Sequence, residues 1–192
     1  MILSPSIYHR LIRPEWLTKF YITNLLTEHF DFSHKTVLDF GCGTGSVCNL
    51  FTPRLYLGID PDPHRVAFAK KNYPNHHFSI YSNGKIPVED STIDYLIAIS
   101  VLHHIPTEEI HRHLNEFKRI LRPGGGIVSI EPYLTSSMVS DNLMTLFDQG
   151  KYIRNEEEYF KIFEANNFKV NLLKKFKKLV YNELFFFAVS DL

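Results

Sequence analysis

Three glycines spaced two apart, Gly41, Gly43 and Gly45, follow the apolar run Val37-Leu38-Asp39-Phe40. Glycine lets a backbone turn sharply and lets a ligand approach the main chain. With a strand before it and a helix N-terminus beyond it, such a loop can offer backbone N–H groups to a ligand. Asp60 stands 19 residues after Gly41 and closes a second run, Leu55 to Ile59. Adjacent strand ends in an open parallel sheet flank one crevice, so a carboxylate there can accept hydrogen bonds from both hydroxyls of a ribose. Its alternative role is helix capping, for which Asp62, followed by Pro63, is better placed. A dinucleotide loop would read G-x-G-x-x-G. Here the third glycine comes one residue early and Ser46 stands where that pattern wants glycine, which disfavours an NAD-dependent dehydrogenase.

Groups able to move protons follow two later strands. His103 and His104 come after Ile93 to Ile99, and Glu131 ends the run from Gly126. Each has a plain structural alternative: one histidine caps the next helix while the other packs, and Glu131 bonds to backbone. His9 is a further candidate base. His111 and His113 lie two apart on a helix and point to different faces, so they are poor joint metal ligands. His76-His77 reads as a solvated strand start. Cys42 and Cys48 cannot complete a four-ligand zinc site without histidine help. No metal is expected.

Positioning these groups requires alternating elements. Apolar runs at 36–40, 55–60, 77–81, 93–99 and 126–131 read as strands. Between them, helical spacing appears in Val66, Ala67 and Ala69, and in Ile110, Leu114, Phe117 and Leu121, the last helix stopping at Pro123-Gly124. A first helix is expected over 14–30, with Leu17, Phe20, Tyr21 and Leu25 on one face. Another carries Val139, Leu143, Leu146 and Phe147, and Asn155 caps a further one with Tyr159, Ile162 and Phe163 inward. Two late strands, roughly 168–178 and 181–190, have no helix between them and should pair antiparallel. Strand-helix alternation points to an α/β fold with a parallel sheet.

The segment Val37 to Gly45 resembles the signature of class I S-adenosylmethionine-dependent methyltransferases. Four further segments match in order: Leu57-Gly58-Ile59-Asp60, Ile86-Pro87 through Asp94, Leu102-His103-His104-Ile105, and Leu121-Arg122-Pro123-Gly124-Gly125. The resemblance spans about residues 36–131. It implies a Rossmann-like three-layer αβα sandwich whose seven-stranded, mostly parallel sheet has order 3-2-1-4-5-7-6 with an antiparallel last strand. It implies S-adenosyl-L-methionine as cofactor. Asp39 would bind near the methionine amine, Gly41, Gly43 and Gly45 would form the loop under the methionine and ribose, and Asp60 would take the ribose diol. Pro61 would pack near the adenine, Asn83 would offer it backbone contacts, and Ser100 would offer its carbonyl to the amine. The family often has Asp at the position of Ser82, whose hydroxyl accepts more weakly than a carboxylate. His103, His104 and Glu131 become the candidate catalytic groups for transfer to an O, N or C atom.

With 192 residues and no linker or repeat, the chain is expected to form one domain, 1–192, with a helical cap at 1–34 and a substrate-covering insert at 132–154. The aromatic content of those two segments (Tyr8, His9, Arg13 and Trp16 in one; Tyr133, Met138, Met144 and Tyr152 in the other) suits a small, partly apolar acceptor, although packing onto the sheet explains most of these side chains. Lys+Arg and Asp+Glu are both 21, so no global field attracts nucleic acid or an anionic membrane. The one basic run, Lys174-Lys175-Phe176-Lys177-Lys178, would alternate across a strand and protect its edge. Nucleic acid is therefore disfavoured, while an RNA or protein methyltransferase, or a non-catalytic cofactor-binding regulator, stands as the alternative. No run approaches the roughly 18 apolar residues of a membrane span, and the first residues lack a secretory pattern, so a cytoplasmic protein is expected. The oligomeric state is not legible.

Overall fold

The computed structural model describes residues 19–82, 84–135, 137, 141, 150–179 and 181–190. Tyr8, His9, Arg13, Pro14, Trp16, Leu17, Asn83, Met138, Val139, Leu143, Met144, Leu146 and Phe147 lie outside the described residues. The chain divides into two compact units, 1–86 and 87–192.

In the first unit, β1 (Val37–Phe40) runs parallel to β2 (Tyr56–Asp60), which runs parallel to β3 (His77–Ile80), giving the order β3-β2-β1. All four residues of β1 are buried. Asp62 caps α2 (Pro63–Asn72): its carboxylate accepts from the N–H groups of His64 at 2.8 Å and Arg65 at 3.3 Å. Val66 and Ala69 face inward, whereas Ala67 is exposed. A π-helical turn, Lys19–Thr23, leads into α1 (Asn24–His29). The wider π turn shifts the helical register, so Ile22, Leu25 and Leu26 are buried while Phe20, expected on the same face, is 65% exposed.

The helix expected after the glycine loop is absent. Residues 48–50 and 53–55 form two short 3-10 turns instead. Pro53 stands eight residues after Gly45 and would lose a helical hydrogen bond and clash with the preceding turn. It also holds Thr52 extended, at φ −63°, ψ 120°.

In the second unit, β4 (Ile93–Ile99) runs parallel to β5 (Leu121–Leu134), and β8 (Tyr181–Ser190) runs antiparallel to both β5 and β7 (Phe168–Lys178), giving β4-β5-β8-β7. A two-residue strand, β6 (Arg154–Asn155), pairs in parallel with Tyr133 and Leu134. With β6 set aside, the two orders are the halves of the expected series 3-2-1 and 4-5-7-6. Helix α3 (Thr107–Ile120) buries Ile110, Leu114 and Phe117. It ends earlier than expected because β5 already begins at Leu121, opposite Ile93. The register then slips to Tyr95 opposite Gly126, so Arg122–Gly125 form a bulge. Helix α4 (Glu156–Glu164) starts in a reciprocal capping box between Asn155 and Glu158. Its Phe163 and Phe160 rings pack on Phe186 of β8, at 5.2 and 5.6 Å between centroids.

The basic run alternates as expected. Lys174, Phe176 and Lys178 oppose Phe185, Glu183 and Tyr181, while Lys175 and Lys177 oppose Leu184 and Asn182 on the other face. No helix among the described residues is long and apolar enough to cross a membrane.

Candidate active site

The first unit brings the glycine loop and Asp60 together. Gly41, Gly43 and Gly45 have φ of 73°, 54° and 78°. At Gly43 nothing stands within 4 Å of where a Cβ would be, so the chain leaves open space there. Gly58 differs: a Cβ would lie 2.7 Å from the Phe78 ring and 2.9 Å from Cys42 Sγ, so glycine is there for packing. Asp60 is 5% exposed. Its Oδ2 accepts from the Gly43 N–H at 2.8 Å and its Oδ1 from the Asp62 N–H at 2.9 Å. Burial pushes its carboxyl pKa above the usual range, and those two N–H donors offset part of the shift.

Most loop amides are already engaged. The N–H groups of Gly41 and Cys42 both donate to Ile59 O, at 2.8 and 3.0 Å, and that of Gly45 donates to Cys42 O at 2.9 Å. A ligand here would meet open space at Gly43 and the spare lone pairs of Asp60, rather than a row of amides at a helix end.

Asp39 is buried, and its Oδ2 accepts from the Tyr56 hydroxyl at 2.7 Å. Burial, then the Asp39 charge, holds the Tyr56 phenol well above its ordinary pKa. Sequence reasoning read Tyr56 only as part of a strand. Its signal was a tyrosine in β2 directly opposite Val37 of β1, two residues before Asp39. Pro61 and Ser82 are exposed, and the Tyr81 hydroxyl donates to Gly84 O at 2.8 Å. Cys42 and Cys48 are buried free thiols; burial pushes Cys48 up to about 12 and Cys42 higher still.

The second unit brings His103 and Glu131 together. Ser100, just past β4, has a left-handed φ of 54° and donates its N–H to Ile130 O at 2.7 Å. A 3-10 turn, Leu102–His104, follows. Glu131 is fully buried beneath it. Its Oε1 accepts from the N–H groups of Val101 and Leu102, both at 2.9 Å. Its Oε2 accepts from the His103 N–H at 3.3 Å and lies 2.8 Å from His103 Nδ1. The backbone role weighed for Glu131 is the one seen, and its carboxylate also meets the His103 ring. His103 is 2% exposed, whereas His104 is exposed, with its ring 4.1 Å from that of His103.

Residues 37–125 match the family model of the methyltransferase domain. The chain carries a methyltransferase domain and is similar to the class I S-adenosylmethionine-dependent methyltransferases. An uncharacterized methyltransferase of Bacillus cytotoxicus is 27% identical to this methyltransferase over 164 residues, 78% of this chain and 77% of its own. Two solved structures share the fold. A SAM-dependent methyltransferase from Aquifex aeolicus has a TM-score of 0.70 at 20% identity, covering 98% of this chain and all of its own. Magnesium protoporphyrin IX methyltransferase from Synechocystis PCC 6803, solved with bound SAH, has a TM-score of 0.69 at 21% identity, covering 94% of this chain and 85% of its own. S-adenosyl-L-methionine is the cofactor named for the Aquifex aeolicus enzyme. Residues of the first unit fit it: a buried carboxylate with spare acceptor capacity ends β2, and the glycine to which it is bonded leaves open space.

Proposed function

We propose that this methyltransferase acts on a small-molecule acceptor that loses a proton from oxygen or nitrogen as it is methylated. The observation that carries this reading is the His103–Glu131 pair, Nδ1 to Oε2 at 2.8 Å. An acceptor-only carboxylate facing Nδ1 selects the tautomer with its proton there, so Nε2 is the basic nitrogen. A hydroxyl acceptor of high pKa needs such a base; a neutral amine needs one less.

In this reading Asp60 takes the ribose diol, and Gly41, Gly43 and Gly45 underlie the methionine and ribose. Pro61, Ser82 and Asn83 border the adenine. Asp39, steadied by Tyr56, and the Ser100 carbonyl serve the amine. The left-handed Ser100 supports a functional role, because strained backbone of this kind persists where a site demands it. Bound S-adenosylmethionine supplies an electrophilic methyl group; the chain aligns the acceptor and excludes water.

We read 1–192 as one methyltransferase domain with a cap at 1–34 and a covering insert at 132–154. Support comes from β6, which ties the end of that insert to the end of β5. Two buried free thiols suit a reducing compartment, and we place the protein in the cytoplasm. Nucleic acid is not its partner in this reading: Lys175 pairs with Glu156 and Lys178 with Glu183, so half of the basic run's charge is already neutralised.

Turnover of methyl-labelled cofactor against a panel of phenols, hydroxy acids and amines tests the proposal. Replacing His103 by Gln should lower kcat about 100-fold or more, with cofactor affinity unchanged. An equal kcat in the variant would remove His103 from the mechanism.

A further inference from the structure

The turn that carries His103 is closed at both ends by a buried ion. Glu131 occupies its amide end, as described above. Its carbonyl end is held by Arg154, which is 6% exposed. Arg154 Nη1 donates to Leu102 O at 3.1 Å and Tyr152 O at 2.8 Å. Its Nη2 donates to Ile105 O at 2.8 Å and Thr107 Oγ1 at 3.0 Å. The guanidinium also lies over the rings of Tyr152 and Tyr159, at 5.9 and 5.7 Å.

Two features make this more than packing. Among the described residues Arg154 forms no ion pair, so a buried cation is stabilised by carbonyls, a hydroxyl and aromatic faces alone. Such an arrangement is costly unless the charged donor is well satisfied. The bonds also converge on His103. Arg154 grips the carbonyls of Leu102 and Ile105, on either side of the His103-His104 pair. The Tyr152 N–H donates to His103 O at 3.0 Å while Arg154 holds Tyr152 O. A negative charge at the amide end and a positive charge at the carbonyl end both favour a helical turn. The two ions sit on neighbouring strands: Glu131 belongs to β5, and Arg154 sits in β6, paired with Tyr133 of β5.

We propose that Arg154 is a positioning residue for His103. By fixing the carbonyl end of the turn, it keeps the imidazole aligned with Glu131, so that Nδ1 carries the proton and Nε2 serves as base. The proposal rests on reading His103 as the proton acceptor. A lysine could keep the charge at this place but not the planar fork that meets four acceptors at once.

The test is nitrogen-15 NMR of the imidazoles in the full chain, with the His103 signal assigned by its loss in His103→Gln. Wild type should show one tautomer, protonated at Nδ1 and slow to exchange. In Arg154→Lys that proton should exchange about tenfold faster or the tautomer should become mixed, as loss of hydrogen bonds from a charged donor implies. Arg154→Ala should show a larger change if it folds; Arg154→Lys suffices if it does not. An unchanged His103 signal in Arg154→Lys, whatever its melting temperature, would reduce Arg154 to a structural residue and overturn the proposal. A moved signal together with full turnover in His103→Gln would uphold the positioning and overturn the reading of His103 as base.

Discussion

Asp60 Oδ2 accepts a hydrogen bond from the Gly43 N–H at 2.8 Å, joining the end of β2 to the middle of the glycine loop across 17 residues of sequence. The bond sets the open face of the loop beside a buried carboxylate that still has lone pairs to offer. Both features that point to the cofactor therefore depend on one contact.

The glycines of this unit should separate by role. Gly43→Ala meets no atoms but must hold a left-handed φ of 54°, at a cost of about 1 kcal/mol. Its main effect should be on cofactor affinity. Gly58→Ala pushes into Phe78 and Cys42 and should destabilise the fold by about 1–3 kcal/mol. Denaturant midpoints and cofactor titration on both variants check the contrast. Equal stability losses would contradict it.

Cofactor affinity should also depend on pH. The folded Asp60 carboxyl is pushed above its ordinary pKa, chiefly by burial. It therefore takes up a proton at a higher pH than a free aspartate as pH falls, and the protonated form is a poorer acceptor. Stability runs the other way: this group's contribution is fully present below the unfolded pKa and is lost as pH rises through the raised folded value. Affinity measured across mildly acidic pH should fall in wild type and stay flatter in Asp60→Asn. Matching profiles would count against the ionised carboxylate as ligand.

On the hairpin, Lys178 lies 2.6 Å from Glu183, which is 1% exposed and whose Oε2 has no hydrogen-bond partner among the described residues. Lys178→Met leaves a buried charge without its counter-ion and should destabilise by about 3 kcal/mol. Lys174→Met, on an exposed position, should stay within about 0.5 kcal/mol of wild type. Urea unfolding of the two variants distinguishes a paired lysine from a merely solvated one.

Much of this organisation was legible in the residues. The apolar run Ile93–Ile99 matches β4 in both bounds, and alternating lysines place β7 and its faces. The place of Asp60 at the end of β2 was readable from the apolar run that precedes it. Other features left no such mark. The helix after Gly45 was expected from the loop pattern, and the weight of Pro53 in so short a segment was missed. The bulge Arg122–Gly125 hides behind a helix stop signal that β5 overrides. Arg154 was invisible for a physical reason: three of its four acceptors are main-chain carbonyls, which every residue carries, so no side-chain pattern advertises them.

The measurement that bears most directly on the central claim is calorimetric titration of the wild type and Asp60→Ala with S-adenosylmethionine and with NAD. The wild type should bind S-adenosylmethionine and not NAD, and Asp60→Ala should lose about 1.5–3 kcal/mol of affinity, the range for hydrogen bonds to a charged group. Binding of NAD by the wild type, or S-adenosylmethionine affinity unchanged in Asp60→Ala, would contradict the account.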